Sequence, residues 1–252
     1  MRFASLGSGS RGNAALVETG DACVLVDCGF SVRETCRRLA VLGRAPADLT
    51  AILVTHEHGD HVSGVLPLAR RFGIPVLMTA GTARAVGVGR DDPVRVIASG
   101  ARVELAGLEV EAVAVPHDAR EPVQYIFAAA DHKLGILTDL GSVTPHVVER
   151  YRHCHGLLLE ANHDRALLAA GSYPDALKRR VGGDWGHLSN GQTADLLQRL
   201  GGDVLRTLVV GHISQHNNSP ELVRQALAPV TGHLDQVLYA SQDEGFGWQE
   251  LY

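Results

Sequence analysis

Ala51-Ile-Leu-Val-Thr-His56-Glu-His58-Gly-Asp60-His61 carries an apolar strand straight into three histidines and an aspartate. Residues i and i+2 at the end of an extended segment point the same way, so His56 and His58 are placed to grip one ion. The turning loop then offers Asp60 and His61 to a second. At this chain's composition an HxHxDH spacing arises by chance with a probability of about two in a thousand, so it reads as a metal loop rather than a polar turn. Histidine is also in excess, with 13 in 252 residues. That is roughly twice general usage, and imidazole is the commonest protein metal ligand.

A catalytic centre for two ions needs further ligands, and strand ends supply candidates. His117 follows Val113-Ala-Val-Pro, Asp139 ends Leu134-Gly-Ile-Leu-Thr-Asp, and His212 ends Leu208-Val-Val-Gly-His. Each lies where an apolar run opens into a loop. Asp139 has two oxygens with which to serve both ions.

Around these positions, short β-branched runs alternate with helical patterns. Strands are expected near residues 3–6, 14–18, 23–27, 51–55, 76–78, 102–105, 109–115, 124–128, 133–138, 156–160, 207–211 and 236–240. Helices are expected at 32–42, 61–71, 144–151, 163–169, 174–180, 191–200 and 220–228, with Ser31, Asn190 and Ser219 as N-caps. The chain is too strand-rich for a doubly wound or barrel repeat and shows no linker or internal repeat. One domain over 1–252 is expected, an α/β sandwich of two mixed sheets with helices outside.

Composition narrows the function classes. Hydrophobic residues make up 45% and charged residues 20%, an ordinary globular balance. No apolar run reaches membrane-span length, and MRFASLGSGSRGNAALVE breaks into glycine and serine before a signal-peptide core forms, so a cytoplasmic protein with no membrane partner is expected. Cys23, Cys28, Cys36 and Cys154 form no CxxC pair and read as reduced thiols. A net charge of -5 argues against a protein that coats nucleic acid over its whole surface, while leaving room for a local basic strip.

With these residues in place, the sequence resembles the metallo-β-lactamase fold superfamily. His56-Glu-His58-Gly-Asp60-His61 matches its ligand loop, Asp27 in Val26-Asp-Cys-Gly its early strand-end aspartate, and His117, Asp139 and His212 its remaining ligands in order. The resemblance implies a four-layer αββα sandwich of two mixed β-sheets flanked by helices. It also implies two divalent metal ions: His56, His58 and His117 on one, Asp60, His61 and His212 on the other, with Asp139 bridging. Asp27 would orient the ligand loop and is counted, with Asp60, among the catalytic residues.

Gly186-His187-Leu-Ser-Asn190, a helix, then Val209-Val-Gly-His212-Ile-Ser-Gln-His-Asn217 is similar to the ribonuclease Z-like phosphodiesterase branch. There the equivalent of His187 assists the phosphodiester transition state without binding metal. Only 22 positions separate His117 from Asp139, and 48 separate Asp139 from His187, too few for a long substrate arm or an inserted nuclease domain. Leu6-Gly-Ser-Gly-Ser-Arg-Gly-Asn13, Thr138-Asp-Leu-Gly141 and Leu159-Glu-Ala-Asn-His163-Asp164 point further, to the compact YycJ/WalJ-like group. That resemblance implies 5′-to-3′ exonuclease action on DNA by a metal-bridging hydroxide. Zinc suits the all-nitrogen-and-oxygen ligands, as do manganese and iron.

Substrate contacts are expected from Ser8 and Asn13 in the early Gly/Ser loop, which also carries Arg11, from Asn190, and from the basic run Lys178-Arg179-Arg180. Two other readings stay open at this point: a hydrolase of a small, cyclic phosphodiester, and a non-catalytic metal-binding regulatory module. Oligomeric state is not legible in the sequence.

Overall fold

A computed structural model describes residues 1–251. Its strands are β1 (Arg2–Gly7), β2 (Ala14–Thr19), β3 (Ala22–Val26), β4 (Ala51–Leu53), β5 (Val76–Thr79), β6 (Val94–Ile97), β7 (Arg102–Leu105), β8 (Leu108–Ala114), β9 (Val123–Ala129), β10 (His132–Leu137), β11 (Gly156–Glu160), β12 (Thr207–Gly211), β13 (Gln236–Tyr239) and β14 (Phe246–Glu250). The helices are α1 (Val32–Val41), α2 (Gly59–Val62), α3 (Val65–Phe72), α4 (Ala80–Val86), α5 (Pro145–Tyr151), α6 (Arg165–Ala170), α7 (Asp175–Val181), α8 (Asn190–Leu200) and α9 (Pro220–Thr231). The strands make two seven-stranded sheets, ordered β14-β1-β2-β3-β4-β5-β6 and β13-β12-β11-β10-β9-β8-β7. Both are mixed, as the alternation of strands and helices led us to expect.

The chain divides into two compact units. The first comprises Met1–Ala114, Ala119–His132 and the segment from Ser241. Its sheet is antiparallel from β14 to β3 and parallel from β3 to β6. Strands β3, β4 and β5 are buried along their whole length, as expected of parallel strands covered on both faces. Leu25, Ile52, Val76 and Met78 join Leu39 of α1 and Leu68 of α3 in one apolar cluster. Because β3 and β4 run parallel with Val26 opposite Leu53, both chains leave the sheet at the same edge. Asp27 therefore emerges beside Thr55 and His56, its backbone N–H donating to Leu53 O at 2.8 Å.

The second unit comprises Val115–Asp118 and Lys133–Ala240. Strands β10 to β13 are parallel there, with Leu137 opposite Leu159 and Glu160 opposite Gly211. The residues following these strands, Thr138-Asp139, Ala161-Asn162 and His212, lie together at one carboxyl edge, where open parallel sheets place their ligand sites.

Several elements depart from the sequence expectation. Strands β6 and β14 and helix α4 were not foreseen. β6 has exposed Arg95 and Val96 in succession before buried Ile97 and so shows no alternation, and α4 begins Ala80-Gly-Thr, which reads as a turn until the Thr79 hydroxyl caps Thr82 N–H. The single helix expected over 61–71 is two, α2 and α3, divided at Ser63-Gly64. Any Cβ on Gly64 would lie 2.0 Å from Phe30 O, so the break is fixed by close backbone approach. Asn190 is not the cap of α8 but its first residue. Ser189 is the cap, its hydroxyl accepting from Gln192 N–H while the Gln192 side chain returns to Ser189 N–H. Likewise His163 precedes α6, which Asp164 caps. The caps at Ser31 and Ser219 are present as expected. All four cysteines are free thiols, and no helix among the described residues is long and apolar enough to cross a membrane.

Candidate metal centre

In the first unit the site is built around Asp27. This residue sits at φ 59°, in the left-handed region, so that the chain turns sharply off β3 and directs a fully buried carboxyl at the loop after β4. A non-glycine residue there costs of order 1 kcal/mol or more, and such strain tends to collect at functional sites. Three donors meet the Asp27 carboxylate: Thr55 N–H at 2.8 Å, the Thr55 hydroxyl at 2.8 Å and His61 Nδ1 at 2.8 Å. Burial pushes its pKa above the usual range, and the neighbouring His61 and the Thr55 bonds oppose that shift.

These bonds set the protonation of the ligand loop. The Thr55 hydroxyl has one proton and gives it to Asp27, so at its 2.9 Å contact with His56 Nδ1 it must accept. His56 and His61 therefore both carry hydrogen on Nδ1 and leave the Nε2 lone pair for a cation, the arrangement that metal-binding imidazoles use. His56 Nε2 lies 3.0 Å from His58 Nδ1, and the His56 and His61 ring centroids are 4.2 Å apart. Asp60 Oδ2 is 3.6 Å from His61 Nε2. The Asn13 amide stands over the same atoms, its Nδ2 3.2 Å from Asp60 Oδ2 and 3.0 Å from His61 Nε2. Its own Oδ1 accepts Gly9 N–H, which fixes the Gly/Ser loop.

The second unit repeats the device with backbone carbonyls. His117 Nδ1 donates to Gly186 O at 3.0 Å and His212 Nδ1 donates to Thr138 O at 2.8 Å. A carbonyl can only accept, so both imidazoles present Nε2 as a lone pair. His212, like Asp27, is held at a left-handed φ, 49°, at the end of its strand. Ligand atoms of His117, Asp139 and His187 lie within 4.8 Å of one another, as do those of Glu160, His187 and His212. All are buried except His187, which is partly open. The donor set of imidazole nitrogens and carboxylate oxygens, pre-set in the right tautomer, fits divalent transition metals.

Glu160 escaped the sequence reading. It is fully buried, accepts Leu140 N–H through Oε1, and meets His187 Nδ1 through Oε2 at 3.0 Å. Burial, reinforced by the negative charge of Asp139, drives its pKa well above the carboxylate range. The signal was available: Glu160 ends the apolar run Leu157-Leu-Leu just as Asp139 and His212 end theirs. Thr55 was missed because a threonine before a histidine motif has no chemistry until its partners are known.

The expected substrate contacts fall in different places. Ser8 and Asn13 lie in the Gly/Ser loop, both buried. Asn190 is buried against Asn218, the two amides exchanging bonds of 2.9 and 2.7 Å, which ties the start of α8 to the loop after β12. Lys178 donates to Ala169 O at 2.7 Å, Arg180 pairs with Asp118, and Arg179 is exposed. Asp118 is in turn 3.5 Å from His117 Nε2, so the basic run approaches the ligands through Arg180.

Histidines and carboxylates gathered at the strand ends of each of two mixed sheets define a class. Residues 23–213 match the family described as the beta-lactamase superfamily domain, and the chain belongs to it, as a protein of the metallo-β-lactamase fold. Within that class it is similar to two exodeoxyribonucleases. It is 36% identical over 233 residues to WalJ of Streptococcus pneumoniae, covering 90% of this chain and 87% of that protein. It is 33% identical over 256 residues to YycJ of Bacillus anthracis, covering 100% and 93%. The crystal structure of the metallo-β-lactamase fold protein YhfI from Bacillus subtilis superposes with a TM-score of 0.74 over 99% of both chains, at 17% identity.

Proposed function

We propose that this chain is a metal-dependent phosphodiesterase acting as a 5′-to-3′ DNA exonuclease, folded as a single catalytic domain over 1–252 and working in the cytoplasm. The observation that carries the reading is the set of four histidines, His56, His61, His117 and His212, each tied through Nδ1 in the tautomer whose Nε2 carries the lone pair. The near full-length similarity to two exodeoxyribonucleases supplies the substrate class. In this reading His56, His58 and His117 would hold one ion, Asp60, His61 and His212 would hold the other, and Asp139 would be shared between them. Zinc is our first assignment, with manganese or iron compatible with the same ligands.

Two divalent ions, when bound, would supply Lewis-acid activation of water and of the phosphoryl oxygens. The protein's own contribution begins with Asp27 and Thr55, which hold His56 and His61 in register. Asp60 would bind metal, and it accepts from the Asn13 amide. His187 is not a ligand here but the proton donor to the leaving oxygen: Glu160 holds its Nδ1 edge, so proton transfer takes place at Nε2. Ser8, Asn13, Asn190 and the run Lys178-Arg179-Arg180 shape and charge the path of the strand, Asn190 acting through the loop it locks.

The test is digestion of end-labelled DNA ladders carrying 5′-phosphate or 5′-hydroxyl termini, with Asp139→Asn as the inactive control. We expect stepwise loss of nucleotides from the 5′ end, with most of the activity and much of the second metal lost in Asp139→Asn. Hydrolysis of a cyclic phosphodiester with intact DNA, or an Asp139→Asn enzyme with full metal and near-normal turnover, refutes the reading.

A further inference from the structure

Trp185 is a large apolar side chain left 63% exposed, yet its backbone is closely packed and hydrogen-bonded on both sides. It sits in the short loop between α7 and α8, where Gly186 N–H donates to Gly183 O at 2.9 Å and His187 N–H donates to Val181 O at 2.8 Å. The carbonyl of the next residue, Gly186, is the acceptor that orients His117. Gly141, two residues after Asp139, packs so closely that a Cβ there would lie 2.5 Å from Trp185 Cα and 2.2 Å from Asp184 O. Gly141 N–H in turn donates to Pro116 O at 2.7 Å, beside His117. The indole is therefore mounted on a rigid platform joined to His117, Asp139 and His187, but contributes nothing to the core.

An exposed indole costs solubility without adding packing, and this one is anchored by the same backbone that positions three site residues. A flat aromatic face so placed matches the π-face of a nucleobase, which stacks on aromatic side chains regardless of sequence. We propose that Trp185 stacks on a base of the DNA strand adjacent to the scissile phosphodiester and so sets substrate register, a positioning role resting on the exonuclease reading above. The phosphate chemistry is left to the metal ligands and His187. Trp185 acts on how long the strand dwells in register.

The experiment compares wild type, Trp185→Ala and Trp185→Phe on a 5′-phosphorylated single-stranded oligonucleotide, and on the same oligonucleotide with abasic sites at its first three positions. Stacking measured by alanine substitution is worth about 1–3 kcal/mol per base, roughly a 5- to 150-fold effect. We expect Trp185→Ala to raise KM on the normal strand by about tenfold or more, with kcat changed less than about threefold. Trp185→Phe should recover most of the loss, and the abasic strand should not distinguish the three enzymes. Equal KM values for wild type and Trp185→Ala on the normal strand, or an equal loss on the abasic strand, overturn the inference and leave the exonuclease reading standing. Binding gives a separate readout: in a Trp248→Phe background a phosphorothioate oligonucleotide should quench the emission of Trp185. An absence of quenching overturns the stacking role even if DNA is cleaved. Quenching in the Trp248→Phe background, with no DNA cleaved by the wild-type enzyme, refutes the proposed function and retains the stacking site.

Discussion

Replacing Thr55 with valine keeps its shape and removes only a hydroxyl, yet the structure predicts a large effect. That hydroxyl is buried, donates to Asp27 Oδ2 at 2.8 Å and accepts from His56 Nδ1 at 2.9 Å. The bond to a carboxylate is worth about 1.5–3 kcal/mol, and the His56 N–H, left buried without its acceptor, costs about 1–3 kcal/mol more. The two are not independent, so we expect a loss of about 3–4 kcal/mol in urea unfolding of the metal-free protein, with Thr55→Ser losing far less. Freed from Thr55, His56 no longer holds a single tautomer, and metal affinity should fall by about 10- to 100-fold, the range for lost orienting bonds to metal ligands. Competition with a fluorescent chelator measures that directly. A Thr55→Val protein within about 0.5 kcal/mol of wild type, with unchanged metal affinity, refutes the claim that this hydroxyl sets the tautomer of the ligand loop.

His187→Ala should keep its metal content by elemental analysis while kcat falls by about 10²-fold or more, the range for a lost general acid; loss of metal would place His187 among the ligands. His163 is buried and its pKa is held down at about 4 against an ordinary 6.5, chiefly by desolvation, so it stays neutral in the folded protein at neutral pH. As pH falls from 6.5 to 4 the unfolded chain binds a proton that the folded chain refuses. Stability should therefore drop across that window by at most about 3 kcal/mol, and urea melts at pH 7 and 5 should show this component disappear in His163→Gln. Neutralising Lys178, Arg179 and Arg180 together should weaken DNA binding and flatten its dependence on salt, because fewer counterions are released; an unchanged slope with normal cleavage removes the strip from the strand path.

What the sequence determined by itself was the chemistry and its approximate address. HxHxDH after an apolar strand, and Asp139 and His212 at the ends of buried runs, are local patterns, since side-chain type and strand periodicity are properties of a few neighbouring residues. The two mixed sheets followed from the same patterns, although β6, β14 and α4 were lost where exposure or glycine blurred the period. The partners were decided by tertiary structure alone. His187 meets Glu160 across 27 positions, His117 meets Gly186 across 69 and His212 meets Thr138 across 74. Each of these pairs forms because the parallel register of β10, β11 and β12, or the fold of the loop before α8, brings distant strand ends to one edge. The same cause ties Asn190 to the Asn218 amide in the interior and gives Lys178 and Arg180 their partners. A hydrogen bond needs its two ends within about 3 Å, and for residues this far apart only the order and register of strands brings them there.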